Sequence, residues 1–394
     1  ARDLVEDQDV LVTLWSDGNV VRTDRAPRVS SKAVPLAQVW GNTRDDLAFF
    51  SVSGQAIMTP LHQLPDEQNV PVSNLTTMAS SEQLVSALVL PHPPEGEELP
   101  AIYLTMVTRG GRIKRVTLED FTTAASRGTV TAMNVEEGDQ LGWVAETGGQ
   151  DEVLLVTRQG KAIRFSEEEV RPMGLSAAGV WAIKLDNDDG VVGMGVVRAG
   201  GFVATFSEQG YVKRTAVKSF PAQKRYGGGV QAAKLTSGTG PLAVAALADE
   251  RADIVLTTTK GRVTKLPLKA LHAQGRAASG YRIRQDTKDR YVEPDKHGLP
   301  ARLTVLAGTK TAAKRARTIS ATPTKSTRTR KTTPKKAPAK SSTRATGTAS
   351  TKNTTRSRSS KSKTTAATET AGTPAPMKSA PSKTRKKPAP TKRK

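Results

Sequence analysis

The chain has 394 residues, with 60 Lys and Arg against 37 Asp and Glu, and its charge is divided unevenly along its length. Residues 309–394 hold 25 Lys and Arg and one acid, a net charge of +24, so residues 1–308 carry −1. There is no cysteine, which excludes disulfides, thiolate metal sites and cysteine nucleophiles. No apolar run reaches the roughly 18–20 residues that a membrane helix needs, so we expect no membrane partner.

The chain begins with mostly polar residues, Ala1-Arg2-Asp3-Leu4, and these do not form a signal peptide. It also lacks an initiator Met. We therefore expect it to be the C-terminal portion of a longer polypeptide, and we expect a cytoplasmic location, which the absence of cysteine fits.

Six segments share one pattern: an apolar run rich in β-branched residues, a tight turn with glycine, and a second strand that often carries Lys or Arg. Such runs predict β-hairpins, and the glycine predicts a turn that requires positive φ. The segments are Val10–Thr23, Asp46–Leu61, Ala101–Val116, Glu152–Phe165, Gly201–Thr215 and Asp253–Leu266. Their turn glycines are Gly18, Gly54, Gly111, Gly160, Gly210 and Gly261.

A second landmark follows the turn in the last four repeats. It reads Gly128-Thr129-Val130, Gly179-Val180-Trp181, Gly229-Val230-Gln231 and Gly280-Tyr281-Arg282. Further apolar runs follow, as at Gly190–Val197 and Leu242–Leu247. Four strands in about fifty residues is typical of a propeller blade, and six units predict an all-β ring over residues 1–308. Between repeats two and three, Pro65–Pro100 predicts irregular strands and loops.

From about Thr309 the chain changes to Lys, Arg, Thr, Ser, Pro and Ala, with no aromatic residue. Such a segment cannot bury enough apolar surface to offset its ordering entropy, so we predict a disordered tail over residues 309–394. Its dense positive charge predicts contact with a polyanion through counterion release. A solubilising spacer is the alternative.

Several stretches resemble the C-terminal domain of the gyrase A protein, in that family's order. They are Asp3–Leu14 with Gly18–Arg22, Glu168–Gly174 leading into Gly179-Val180, and Gly210–Val217. The resemblance covers residues 3–308 and is strongest from Ala101 to Leu266. It implies a six-bladed β-pinwheel, a propeller-like ring with strands exchanged between blades. It also implies double-stranded DNA bound around the outer rim, beside the catalytic core and the ATPase B subunit of a type IIA topoisomerase.

One departure from the family pattern concerns its glycine-rich basic box, Gln-Arg-Arg-Gly-Gly-Lys-Gly, on the first blade. Residues Arg25–Val34 stand there and contain three basic residues but no glycine pair. The nearest match is Gln223–Gly229, in repeat five. We therefore expect a gyrase-like or topoisomerase IV-like relative that does not wrap DNA around the full ring.

The second hairpin strands carry cations at recurring positions in four repeats, which predicts contacts to DNA phosphates. Solvated strand ends are the alternative, and the neutral body favours it. Repeat two offers only Gln55, Ala56, Ile57 and Met58 there. Lys224 and Arg225 precede a glycine triplet and join the candidates. The predicted DNA-binding residues are Arg112, Lys114, Arg115, Lys161, Arg164, Lys213, Arg214, Lys224, Arg225, Arg262 and Lys265.

No catalytic site or metal site can be argued from the sequence. The four histidines (His62, His92, His272 and His297) lack metal-ligand spacing. Asp186–Gly190 resembles a calcium loop, but its glycine is misplaced and no glutamate closes it, so a turn is expected. We expect no cofactor and no catalysis by this chain.

The leading hypothesis is a non-catalytic module that binds and bends DNA within the gyrase A-type protein of a type IIA topoisomerase. The first rival is a protein-interaction propeller whose tail alone contacts DNA. The second is a propeller enzyme with a site in the central channel, which the lack of a His/Asp/Glu cluster disfavours.

Overall fold

The computed structural model describes residues 4–92, 101–282 and 300–308, and in them the chain forms six small β-sheets. The predicted tail, His297 and part of Pro65–Pro100 lie outside these residues. The boundary predicted between a body and a tail at residue 308 therefore stays a prediction.

All six predicted hairpins are present as antiparallel pairs, at the centre of the five four-stranded sheets and at one side of the three-stranded sheet of blade six. Their turn glycines have φ between +73° and +88°, as the hairpin pattern predicts. The pairs are β1 (Asp9–Trp15) with β2 (Asn19–Thr23), β4 (Asp46–Ser51) with β5 (Gln55–Pro60), β8 (Tyr103–Thr108) with β9 (Arg112–Thr117), β12 (Glu152–Thr157) with β13 (Lys161–Ser166), β16 (Phe202–Ser207) with β17 (Tyr211–Ala216), and β20 (Asp253–Thr258) with β21 (Val263–Pro267).

A third strand pairs with the first strand of each hairpin and lies towards the centre of the ring. These inner strands are β3 (Pro35–Asn42), β7 (Leu84–Leu90), β11 (Leu141–Thr147), β15 (Val191–Val196), β19 (Leu242–Ala248) and β23 (Pro300–Val305). Each contacts the next, and β23 contacts β3, so the six sheets close into a ring of blades. Pro65–Pro100, predicted to be irregular, supplies the inner strand of blade two as well as loops.

A fourth strand of two residues completes five of the blades, and the following repeat donates it. Thus β10, from repeat three, pairs with β5 of blade two. The sheet order places these exchanged strands at the end opposite the inner strands, on the outside of the ring. The exchange confirms the pinwheel that the resemblance implied. The exchanged strands are β6 (Val70–Pro71), β10 (Val130–Thr131), β14 (Val180–Trp181), β18 (Val230–Gln231) and β22 (Tyr281–Arg282).

Blade six has three strands among the described residues, in the order β21, β20, β23. The segment of repeat one that is equivalent to an exchanged strand lies between β2 and β3, and it forms a turn closed by Ser30 and Ala33. Blade six meets blade one through side-chain hydrogen bonds. Thr304 Oγ1 donates to Pro35 O at 2.9 Å, and Trp40 Nε1 donates to Gly308 O at 2.6 Å.

The continuous apolar runs are explained by burial of both faces of each sheet between neighbouring blades. In β12, Val153 and Leu155 pack into the core shared with blade three. Leu154 and Val156 point the other way, into the core shared with blade five. A sheet covered on both faces needs apolar residues at successive positions, not alternate ones.

The helices of the described residues are short: α1 (Val72–Leu75), α2 (Leu118–Ala125) and one-turn 3₁₀ helices after other hairpins. The sequence analysis missed α2. Thr117 caps it by accepting a hydrogen bond from Asp120 N at 3.1 Å, and the helix buries its own Leu118 and Phe121. Within the part of the chain that the structure describes, no helix is long and apolar enough to cross a membrane.

Candidate nucleic-acid interface

The predicted DNA-binding residues fall on the outer part of the ring, which we call the rim: the exchanged strands, the second hairpin strands beside them, and the loops that lead into the exchanged strands. Nine of the residues lie on or next to strands β9, β13, β17 and β21. The other two, Lys224 and Arg225, lie in the loop before β18. The structure thus distributes the predicted set along the rim of blades three to six. Their side chains have three different environments.

Positions are counted along the second strand of each hairpin. At the first position, the cations make ion pairs near the surface. Arg112 Nη2 lies 2.6 Å from Glu136 Oε1, and Lys161 Nζ lies 2.5 Å from Asp186 Oδ2. The hydrogen bond and charge of Lys161 lower the pKa of Asp186. Arg262, the equivalent residue of blade six, is half-buried. Pairs at the surface, such as Lys161–Asp186, contribute little stability, about 0–1 kcal/mol, so a phosphate can replace Asp186 at small cost.

At the third strand position, Lys114 and Lys213 are buried, with at most 1% of each residue exposed. Lys114 Nζ donates to Ala132 O at 2.7 Å and to Leu175 O. Lys213 Nζ donates to Gly275 O and Arg276 O, both at 2.8 Å. Burial lowers the pKa of each lysine to about 8. Phosphate contact by either lysine would require its ammonium group to leave these carbonyl partners.

At the fourth position, three arginines clamp neighbouring segments of the chain. Arg115 Nη1 lies 3.1 Å from Glu167 Oε2 in a buried pair. Arg164 pairs with Glu152 and donates to Phe220 O at 3.1 Å. The third is Arg214, whose Nη1 lies 2.6 Å from Glu250 Oε1 and whose Nε donates to Leu271 O at 2.7 Å. In blade six, the equivalent Lys265 is half-exposed, with Nζ 3.1 Å from Asp253 Oδ2.

Lys224 and Arg225 differ from one another. Lys224 is exposed. Arg225 is held by the protein, because its Nη1 donates to Trp181 O at 2.6 Å and its backbone N donates to Glu169 Oε2 at 2.7 Å. The loop before β18 is thereby fixed to β14 of blade three.

Trp181 and Tyr226 are rim residues that the sequence analysis did not select. The guanidinium carbon of Arg112 lies 3.8 Å from the centroid of the Trp181 ring. Trp181 is 40% exposed and Tyr226 is 51% exposed. The signal was a tryptophan inside the repeated Gly-Val landmark and a tyrosine inside the basic loop.

The other predicted features of the described residues are ordinary. Asp186–Gly190 forms a turn in which Asp189 N donates to Asp186 O at 3.2 Å, as predicted. Among the residues that the structure describes, no group of three or more His, Asp or Glu is arranged to hold a metal ion.

The fold and rim define the class of protein: a six-bladed β-propeller whose blades exchange their outermost strands. A family model described as "DNA gyrase C-terminal domain, beta-propeller" matches residues 45–76, 103–143, 151–198, 201–242 and 252–292, more than half of the chain. The matched ranges correspond to blades two to six. This chain belongs to the DNA gyrase C-terminal domain family.

Curated relatives, each the A protein of a bacterial DNA gyrase, give the same result. The protein of Klebsiella oxytoca is 31% identical over 308 residues, covering 74% of this chain and 34% of the relative. That of Mycolicibacterium smegmatis is 28% identical over 301 residues, covering 71% and 35%. The chain thus spans about a third of the length of the curated relatives it matches.

Two solved structures share the fold. One is described as the crystal structure of the C-terminal domain of DNA topoisomerase IV, with a TM-score of 0.66, 24% identity, and coverage of 80% of this chain and 98% of that chain. The other is described as the structure of the DNA gyrase A C-terminal domain, with a TM-score of 0.58, 19% identity, and coverage of 76% and 100%.

Proposed function

We propose that this chain is a non-catalytic module that binds and bends double-stranded DNA as part of the gyrase A-type protein of a type IIA topoisomerase, gyrase-like or topoisomerase IV-like. The observation that carries the proposal is family membership over blades two to six. The rim supports it, because cations stand at equivalent positions on successive blades. On this proposal the chain acts in the bacterial cytoplasm, beside the catalytic core and the ATPase B subunit.

The cations best placed to contact phosphates are those on the surface of the rim: Lys224, which is exposed, and Lys161 and Lys265, whose side chains are 35% and 49% exposed and whose carboxylate partners are at least 40% exposed. The buried Lys114 and Lys213 and the clamping arginines support the rim from beneath. The DNA contacts predicted for them would need a rearrangement of the exchanged segments.

The bend proposed here covers blades three to six. Blade two has Gln55 and Met58 where other blades have cations, and blade one lacks the glycine-rich box. Bending costs on the order of 1–6 kcal/mol per 20–30 base pairs, so contacts must recur along the path to offset it. DNA therefore leaves the rim before completing the ring.

The test is charge reversal on the rim against a matched reversal on blade one. Lys161→Glu/Lys224→Glu/Lys265→Glu is compared with Arg25→Glu/Arg28→Glu/Lys32→Glu, in the full chain and in a chain truncated after Gly308. We expect the rim variant to lose at least about tenfold in affinity for a duplex of about 30 base pairs, and the blade-one variant to lose far less. Fluorescence anisotropy at about 50–200 mM salt measures both.

Truncation itself should flatten the salt dependence, because log K falls by about 0.9 per phosphate neutralised for each decade of salt. Equal slopes for the two chain lengths would make residues 309–394 a spacer. Equal effects of the two charge reversals would show that DNA does not follow the rim of blades three to six.

A protein-interaction propeller is the second candidate function, favoured by the charge of residues 1–308, which is −1. On that hypothesis, only residues 309–394 contact DNA. Loss of all duplex binding on truncation after Gly308 would select it.

A further inference from the structure

Two exposed aromatic side chains lie at one place on the rim, where blade three meets the loop before β18. Among the described residues, the exposed large hydrophobic side chains are Trp181, Tyr226 and Leu4. Trp181 occupies the second position of the exchanged strand β14. The equivalent positions of the other exchanged strands hold Pro71, Thr131, Gln231 and Arg282.

The two aromatic residues are held together by the backbone around them. Arg225 Nη1 donates to Trp181 O at 2.6 Å, and Tyr226 N donates to Ala182 O at 2.8 Å. The loop that carries Tyr226 is therefore docked on the strand that carries Trp181. The backbones of the two aromatic residues are therefore held close together by the fold.

Tyr226 adopts a φ of +65°, a left-handed conformation that non-glycine residues rarely take. The equivalent loop residues in repeats four and six, Ser176 and Ala277, do not share it. Strained backbone of this kind clusters at sites of function and persists only where the surroundings hold it.

Both cations and carboxylates lie around the aromatic pair. The Arg112 guanidinium covers one face of the Trp181 indole at 3.8 Å. Lys224, two residues before Tyr226, and Lys184, three residues after Trp181, are both exposed. Three carboxylates lie near these cations. Glu136 is paired with Arg112, Glu169 accepts from Arg225 N, and Asp186 is paired with Lys161.

We propose that Trp181 and Tyr226 form a stacking platform for an unpaired or unstacked DNA base. An intact duplex hides the faces of its bases, whereas an opened or sharply kinked segment exposes them. Aromatic rings set among cations bind such bases by stacking, while the cations hold the neighbouring phosphates. This rim site therefore prefers DNA with an exposed base over fully paired DNA. The inference rests on the proposed function and specifies the DNA structure that this part of the rim selects.

The test compares a paired duplex of about 30 base pairs with the same duplex carrying a central bubble of unpaired bases, using the full chain at about 200 mM salt to weaken non-specific binding. We expect the chain to bind the bubble about tenfold more tightly. Trp181→Ala/Tyr226→Ala should remove this preference and leave affinity for the paired duplex within about twofold. Trp181→Phe/Tyr226→Phe should keep most of the preference, because the rings remain.

Gln231→Ala is the matched control, since Gln231 holds the same position on β18, and it should keep the preference. A wild-type chain with no preference, or an Ala/Ala variant that retains it, would overturn the inference. Failure of the chain to bind either DNA would instead overturn the proposed function. Thermal melting of each variant checks that these exposed positions leave the fold intact.

Discussion

At the scale of single residues, the rim contains two sets of cations: those that support the fold and those that remain accessible to solvent. Glu167 shows how deep the supporting set lies. It accepts from Arg115 Nη1 at 3.1 Å, from Thr147 Oγ1 at 2.6 Å and from Asp151 N at 2.8 Å, with no exposed surface. A buried carboxylate with this many donors depends on its arginine, because removing one partner of a buried pair leaves an uncompensated charge. Arg115 is thus better explained by the fold than by DNA.

The two buried lysines give a pH prediction. Burial lowers the pKa of Lys114 and Lys213 from 10.5 to about 8 in the folded chain. Between about pH 8 and 10 the unfolded chain therefore holds protons that the folded chain has released, so these groups make stability rise with pH. Lys114→Met/Lys213→Met removes both titrations. We expect the free energy of unfolding of the wild type, minus that of this variant, to increase from about pH 8 to 10.

Urea unfolding at each pH measures that difference. Lys161→Met/Lys265→Met, which changes two lysines at the surface, is the control and should show no comparable rise. A difference that stays constant for the buried pair would mean that Lys114 and Lys213 titrate normally in the folded chain.

The sequence identified these positions as cationic but could not reveal their environment. Lysine is rarely fully buried, so a repeated lysine in a strand indicates a surface. The carbonyls that hold Lys114 and Lys213 belong to residues 18 to 63 positions further along the chain. Local patterns do not contain that information.

At the scale of elements, the exchanged strands explain the second repeated landmark of the sequence. Gly179, Gly229 and Gly280 have φ between +71° and +86°. A Cβ on them would lie 2.5–2.8 Å from the carbonyl oxygens of Ile113, Ala162 and Val212, each on the second hairpin strand of the preceding blade. The glycine lets an exchanged strand approach that strand closely. The spacing of this landmark is visible in the sequence. The reason for its glycine is visible only from the way the strands pair in three dimensions.

Gly229→Ala should therefore destabilise the chain, since it adds both a clash with Ala162 O at 2.7 Å and an unfavourable φ. We expect a loss of more than about 1 kcal/mol, since alanine at positive φ costs more than the 0.4–1 kcal/mol that it gains at a compatible site. Gly228→Ala is the adjacent control, because no atom lies within 4 Å of its Cβ position. Chemical denaturation measures the free energy of unfolding of both variants. Equal losses would show that the close approach of the strands is not the reason for glycine at position 229.

Hairpins and turn glycines were predictable because their signal is local, whereas α2 was not. Eight residues with Leu118, Phe121 and Ala125 on one face form too short a pattern to stand out in a chain of strands. Its start signals were Thr117 as the N-cap and two acidic residues, Glu119 and Asp120, in the first turn.

At the scale of the whole ring, blade one differs from the rest. It lacks the family box, it donates no strand to blade six among the described residues, and the family match begins after it. The described chain also ends beside it, with Gly308 O accepting from Trp40 Nε1 of β3. The 25 cations of residues 309–394 therefore follow β23 of blade six in the sequence, and the last described residue before them lies beside blade one. The proposed path over blades three to six, with added charge from those residues, follows from this asymmetry.

Plasmid ligation in the presence of the chain, followed by analysis of linking number, tests this path most directly. A rim that carried DNA around the full ring would trap superhelical turns of one sign. We predict that the chain truncated after Gly308 binds the plasmid but shifts its linking number weakly or not at all. A strong shift of one sign by the truncated chain would contradict the account, because it would show that DNA passes blades one and two without the box or the hairpin cations.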